Sequence, residues 1–296
     1  NAGGYDYVPG IYTDEQVEAW KKITDAVHEK GSFIYLQLCA LGRTAETAVL
    51  AKENNSSYVS ASPIPIPGRQ DATVPRALTI EEIKEYIATY ATAAKNAIRA
   101  GFDGVEVQGA YGHLVDQFIQ DVSNHRTDEY GGSIENRARF PLEIVDAVVE
   151  AVGAERTAIR LTDVWHRYGH GRSDPKPQYF YLVEELRKHK LAYIHIVEAM
   201  TPEKNNDFLR EIWGKREGST YISATGHDRK TAIDTADKKG GLVAFGRMFM
   251  SNPDLPFRLL NDIALAEGNQ ATWYMRGDLT AAGYSDWPFA PENVQQ

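Results

Sequence analysis

Side chains able to do chemistry fall in six places along the sequence, each just after a short apolar run. These are Gln37, Cys39 and Arg43; Gln108-Gly109-Ala110-Tyr111-Gly112-His113; Arg160-Leu161-Thr162-Asp163-Val164-Trp165-His166; Glu198; Thr225-Gly226-His227; and Gly246-Arg247. The last two have the make-up of a phosphate cradle. A glycine lets the backbone approach an anion, the helix start that follows offers unpaired N–H groups, and Arg247 adds a charged two-pronged donor. The turn from Met248 to Asn252 suits the short extra helix that such cradles use. Cys39, the single cysteine, has no visible activating base and reads as a buried, inert thiol. The histidines show no metal-ligand spacing, so no metal is expected.

The elements that must place these groups alternate in kind. Short runs rich in β-branched and aromatic residues predict strands at Ser32–Leu38, Gly104–Gln108, Thr157–Leu161, Tyr193–Val197, Tyr221–Ala224 and Leu242–Phe245. Segments long enough for helices lie among them: Thr13–Lys30, Thr79–Ala100, Ser133–Val152, Gln178–His189, Asn206–Trp213 and Asp228–Lys238. Thr13 with Gln16, and Thr79 with Glu82, have the spacing of a capping box. Six βα units of this kind predict an α/β fold around a parallel sheet, whose chemistry belongs at the strand C-termini. Residues 54–75 carry Pro63, Pro65, Pro67 and Pro75 with Gly68, which excludes a helix or a central strand and predicts an extended surface loop. The tail from Thr272 onward, with Trp273, Tyr274, Tyr284 and Trp287, is too aromatic for disorder. The whole chain, 1–296, is read as one domain.

Lys plus Arg total 32 against 41 Asp plus Glu, a net charge of −9. With a pI near 5.4 this argues against nucleic acid and anionic membrane and leaves small molecules as the expected partners. A lone cysteine permits a reducing, cytoplasmic location. No run of 18 apolar residues is present, and the start Asn1-Ala2-Gly3-Gly4 resembles no signal peptide.

Particular stretches resemble the old yellow enzymes, flavin-dependent ene reductases. The run from Asp116-Gln117-Phe118 to Asn124, followed by Arg126 to Phe140 (RTDEYGGSIENRARF), carries the resemblance most specifically. It extends in order through Gly3-Gly4-Tyr5-Asp6, Leu41-Gly42-Arg43, Ala244-Phe245-Gly246-Arg247, Asn252 to Pro256 and Gly283-Tyr284, and so covers essentially the full chain. Fungal members that tailor secondary metabolites, the ergot-alkaloid branch among them, are the most similar. The resemblance implies a TIM-type (β/α)8 barrel with FMN at the strand C-termini, reduced by NADPH. It assigns Gln37 to the flavin pyrimidine edge, Arg160 to charge near the flavin N1, and Gly226, Gly246 and Arg247 to its phosphate. Tyr274 resembles the aromatic wall over the substrate, and Cys39 is placed beside it as a substrate contact.

Three departures fall on the residues that perform the family's chemistry. Where the family has a histidine, an asparagine or second histidine, and a tyrosine, this chain has Gln108, Tyr111 and His113. An amide and a phenol replace the oxygen-binding pair, and an imidazole of ordinary pKa ~6.5 replaces the proton donor. Where the family has Arg-Leu-Ser-Pro, this chain has Arg160-Leu161-Thr162-Asp163, with His166 three residues on. The family's first two strand units precede Gly3-Gly4 and are not in this sequence, on the order of 60 to 90 residues. Six units leave two sheet edges open, which a homodimer or the aromatic tail would cover.

The expectation is an enzyme on this scaffold that works by proton transfer, isomerising or cyclising an unsaturated carbonyl-type metabolite. His113 serves as general acid/base, Tyr111 and Gln108 polarise the oxygen, and Asp163 and His166 assist. No cofactor is expected in the chain as given, and FMN with NADPH if the preceding segment is present. Two alternatives stand beside it: an FMN- and NADPH-dependent ene reductase, and a catalytically inactive binding or scaffolding protein.

Overall fold

The computed structural model describes residues 3–53, 56–69, 73–162, 174–198, 206–275 and 279–293. The chain divides into two compact units, Asn1–Tyr221 and Ile222–Gln296. Helix starts are set locally by caps. Helix α1 (Asp14–Glu29) begins at Thr13, whose hydroxyl accepts from the Gln16 N–H at 3.2 Å while the Gln16 side chain accepts from the Thr13 N–H at 3.1 Å. Strand β1 (Tyr35–Leu38) and the short helix α2 (Thr47–Lys52) follow, then strands β2 (Val59–Ser60) and β3 (Arg76–Ala77). Helix α3 (Ile80–Arg99) repeats the capping box with Thr79 and Glu82. After it come β4 (Gly104–Gly109), α4 (Leu114–Ile119), α5 (Ile134–Val152), β5 (Thr157–Leu161), α6 (Lys176–Arg187), β6 (Tyr193–Val197) and α7 (Asp207–Gly214).

In the first unit β1, β4, β5 and β6 are neighbours in that order, all parallel. Their residues alternate between two faces, as a period of two requires. Val105, Val107, Ile159, Leu161, Ile194 and Ile196 are fully buried in a core shared with α3, α5 and α6. Each solvent-free isoleucine or leucine of this face is worth about 1.5–3 kcal/mol. The opposite face is polar and carries Gln37, Glu106, Gln108, Arg160 and His195. Gln37 lies across from Glu106, and Gln108, Arg160 and His195 lie across from one another on three adjacent strands.

The second unit pairs β7 (Tyr221–Ala224) with β8 (Leu242–Ala244) in parallel and connects them by α8 (Arg229–Lys239), capped by Asp228. Helices α9 (Arg247–Ser251) and α10 (Leu255–Leu260) follow. Within it the buried Asp254 accepts from Arg258 Nε at 2.7 Å and from the Ala290 N–H at 2.8 Å, which ties the tail down.

Two expectations need correction. The first strand begins at Tyr35 rather than Ser32, because Gly31 turns with φ +69, Phe33 is exposed, and the Ile34 N–H goes to the Asp103 carboxylate at 2.7 Å instead of a ladder. The proline-rich segment does not begin as a surface loop: Val59 to Ser62 are buried, β2 pairs with β3, and Arg126 donates to the Ala61 and Leu78 carbonyls at 2.9 and 2.7 Å. Among the described residues no helix is long and apolar enough to cross a membrane.

Candidate active site

The polar face of the first unit is organised by one buried carboxylate. Glu106 Oε2 lies 2.9 Å from His195 Nδ1, and Glu106 Oε1 accepts from Gln37 Nε2 at 2.5 Å. Burial alone would raise this carboxyl. The His195 and Gln37 contacts and the Arg160 charge outweigh it and hold the group below its ordinary value, so it is ionised. An ionised carboxylate only accepts, which fixes every amide beyond it. Gln37 must turn its NH2 to Glu106 and its carbonyl to Gln108 Nε2, 2.9 Å away, and Gln108 then turns its own carbonyl to the Ala110 N–H at 3.2 Å. One amide hydrogen of Gln108 is left over.

Among the described residues, two buried nitrogens on this face, Arg160 Nε and His195 Nε2, have no hydrogen-bond partner. Arg160 Nε–H is a donor. A buried polar group without a partner costs about 1–3 kcal/mol, so the pair calls for a polar ligand.

The chain leaves β4 through a sharp reversal. Gly109 is required there, since a Cβ would stand 2.9 Å from the Arg160 carbonyl oxygen. Tyr111 and Gly112 are both left-handed, with φ of +58 and +73, and the Asp116 carboxylate takes the Gly112 N–H at 2.8 Å. This turn lifts Tyr111 beside Arg160: the guanidinium carbon is 5.0 Å from the ring centroid and Nη2 donates to the hydroxyl at 3.2 Å. It also makes His113 the N-cap residue of α4. His113 Nδ1 lies 2.8 Å from Thr44 Oγ1, which also lies 2.7 Å from the Leu41 carbonyl oxygen. Burial, with the Arg160 charge added, pushes this imidazole down to about 4. The ordinary value of ~6.5 expected from sequence does not apply, and His113 is neutral at physiological pH.

The structure thus brings Gln37, Gln108, Tyr111, His113 and Arg160 into one linked set. Cys39 directly follows β1 and is exposed, where a buried thiol was expected, because the strand ends at Leu38. The thiol is nonetheless pushed up to about 12 by the protein packed around it, so it is not a thiolate at neutral pH. Asp163 and His166 lie outside the described residues. Gly226, Gly246, Arg247 and Tyr274 belong to the second unit. There Thr225 and Gly226 are left-handed, open space surrounds the Cβ positions of Gly226 and Gly246, and Gly246 caps α9 without a side-chain bond. Arg247 lies 5.4 Å over the Trp273 ring, and Tyr274 is 71% exposed.

Sequence reasoning missed Glu106 and His195. A charged residue inside Val-Glu-Val-Gln, and a histidine inside Tyr-Ile-His-Ile, were the available signals, each in register with a polar neighbour two residues away. The signature run, by contrast, is scaffold. Asn124 holds the Phe118 and Tyr130 carbonyls at 2.7 Å each, Arg126 clamps Asp128, and Phe118 packs 4.3 Å from Phe140.

Comparison with known proteins agrees with this geometry. Residues 1–266 match the NADH:flavin oxidoreductase / NADH oxidase family. The chain is 46% identical over 303 residues to the chanoclavine-I aldehyde reductase fgaOx3 of Penicillium roqueforti, covering 98% of this chain and 80% of that protein. It is 42% identical over 313 residues to the probable inactive dehydrogenase easA of Claviceps purpurea, covering 99% and 80%. The crystal structure of Old Yellow Enzyme from Pichia sp. superposes with a TM-score of 0.89 at 38% identity, over 100% of this chain and 79% of that one. That likeness places the βα units in the (β/α)8-barrel fold class.

Proposed function

Since this chain belongs to the NADH:flavin oxidoreductase / NADH oxidase family, in the fungal branch of the old yellow enzymes, we propose that it reduces an unsaturated carbonyl compound of secondary metabolism, using FMN and a reduced nicotinamide. The observation that carries this reading is a pair of buried nitrogens, Arg160 Nε and His195 Nε2, on adjacent strands and without a hydrogen-bond partner among the described residues. A flavin pyrimidine edge alternates carbonyl oxygens with an N–H and can meet both nitrogens; the residues fit the group. FMN, when bound, supplies the hydride it has taken from the nicotinamide. Gln37 and Arg160 would hold the ring edge. In the second unit, taken by itself, open backbone at Gly226 and Gly246 with Arg247 has the make-up of an anion cradle. The spare amide hydrogen of Gln108, buried and fixed by Gln37, would bind the substrate oxygen.

The test is the visible absorption of the purified full-length protein, followed by NADPH oxidation with trans-2-hexenal. Bound flavin and NADPH consumption are expected. A colourless protein that leaves NADPH untouched rejects the reading.

A second reading, non-reductive isomerisation or cyclisation, is favoured by one observation: His113, at the motif position of the proton-transferring residue, is a buried imidazole that is neutral at physiological pH and can take up a proton. It expects product of unchanged mass and no net use of NADPH.

A further inference from the structure

We propose that the Tyr111 hydroxyl, and not His113, donates the proton that completes alkene reduction. This rests on the reductase reading above. Adding hydrogen across a carbon–carbon double bond needs a hydride at the β-carbon and a proton at the α-carbon. The hydride brings its electron pair to the β-carbon, the π pair moves onto the α-carbon, and that carbon must then take a proton from a nearby acid.

His113 stands at the motif position from which the proton would come, and its surroundings disqualify it. Its Nδ1 is engaged by Thr44 Oγ1 at 2.8 Å, and the buried ring is neutral at physiological pH, without the imidazolium proton that a general acid gives. The depressed affinity of this imidazole for a second proton, which burial and Arg160 both lower, agrees with the geometry.

Tyr111 has the opposite arrangement. Its hydroxyl oxygen accepts from Arg160 Nη2 at 3.2 Å, so its own hydrogen is free to point elsewhere. The same guanidinium lies over the ring, 5.0 Å from the centroid, and stabilises the phenolate that forms as the O–H bond breaks. The left-handed Tyr111-Gly112 turn, pinned by Asp116, is what presents the ring in this way. The phenolate takes its proton back from water. Arg160 is thereby the residue that positions Tyr111.

The experiment is anaerobic stopped-flow on the full-length protein and its Tyr111→Phe variant, following flavin reduction by NADPH and then flavin reoxidation by trans-2-hexenal, in H2O and D2O. Phe keeps the ring under Arg160 and removes only the O–H. Reoxidation is expected to slow by about 100-fold or more, the usual contribution of a general acid. The solvent isotope effect of the parent is expected to vanish in the variant, which loss of packing alone would not cause. Reoxidation at the parental rate in Tyr111→Phe overturns the inference, as does the same isotope-sensitive loss in His113→Ala with Tyr111→Phe unaffected. A parent whose flavin NADPH does not reduce overturns the reductase reading itself, and this inference with it.

Discussion

Thr44 Oγ1 lies 2.8 Å from His113 Nδ1 and 2.7 Å from the Leu41 carbonyl oxygen. One hydroxyl thus engages a candidate catalytic imidazole. In Thr44→Val both contacts disappear. The variant is expected to lose about 1 kcal/mol of stability for the broken bond. The His113 Nδ1 resonance in nitrogen-15 NMR should move between parent and variant.

His113 and Asp116 make opposite contributions to stability as pH changes. The folded-state value of His113 is depressed to about 4, so the unfolded chain binds this proton more readily. Its contribution is complete above about pH 6.5 and is lost as pH falls through about 4. The ceiling is about 3 kcal/mol. Denaturant titrations of His113→Phe against the parent at pH 7.5 and pH 4 should show the parent losing stability on acidification that the variant keeps.

Asp116 is buried and raised to about 6, burial being the main cause against bonds from Gln120, Gly112 and Tyr179. Here the folded state binds the proton more tightly, so stability present below about pH 4 is lost as pH rises through 6. The shift corresponds to about 3 kcal/mol. Asp116→Asn removes this slope. Its stability relative to the parent should rise between pH 4 and pH 7 in the same titrations, and a flat difference would contradict the assignment.

Glu106→Gln removes the carboxylate that Gln37 and His195 both contact on this face. The new amide no longer dictates which end of Gln37 faces it. A loss of about 1–3 kcal/mol is expected for disturbing these buried hydrogen bonds, together with weaker flavin retention on dialysis. If flavin content and thermal midpoint are both unchanged, Glu106 does not organise the site.

Gly104→Ala tests how tightly β4 is set against its neighbours. The added Cβ would sit 2.6 Å from the Arg156 carbonyl oxygen and closer still to the Tyr35 ring. Backbone cannot swing aside as a side chain can, so destabilisation of about 1–3 kcal/mol or more is expected from the thermal midpoint.

Much of the scaffold was legible because its causes are local. Thr13 and Thr79 start helices wherever a partner three residues on completes the box, and Val-Glu-Val-Gln or Tyr-Ile-His-Ile alternates whatever surrounds it. The signature run identified the family because its residues bond mostly to one another and to nearby backbone. Helices α2, α4 and α10 were missed because six residues hold too little periodicity to read, and packing around them supplies the rest; α9 was expected only as the short helix after Gly246-Arg247.

The sequence by itself determined the order of βα units, the family, and the identity of the altered groups at Gln108, Tyr111 and His113. Only the tertiary structure decided what those groups can do. Glu106 meets His195 across 89 positions of chain, and Thr44 meets His113 across 69. A proton's place depends on such distant partners and on burial, neither of which is a property of neighbouring letters.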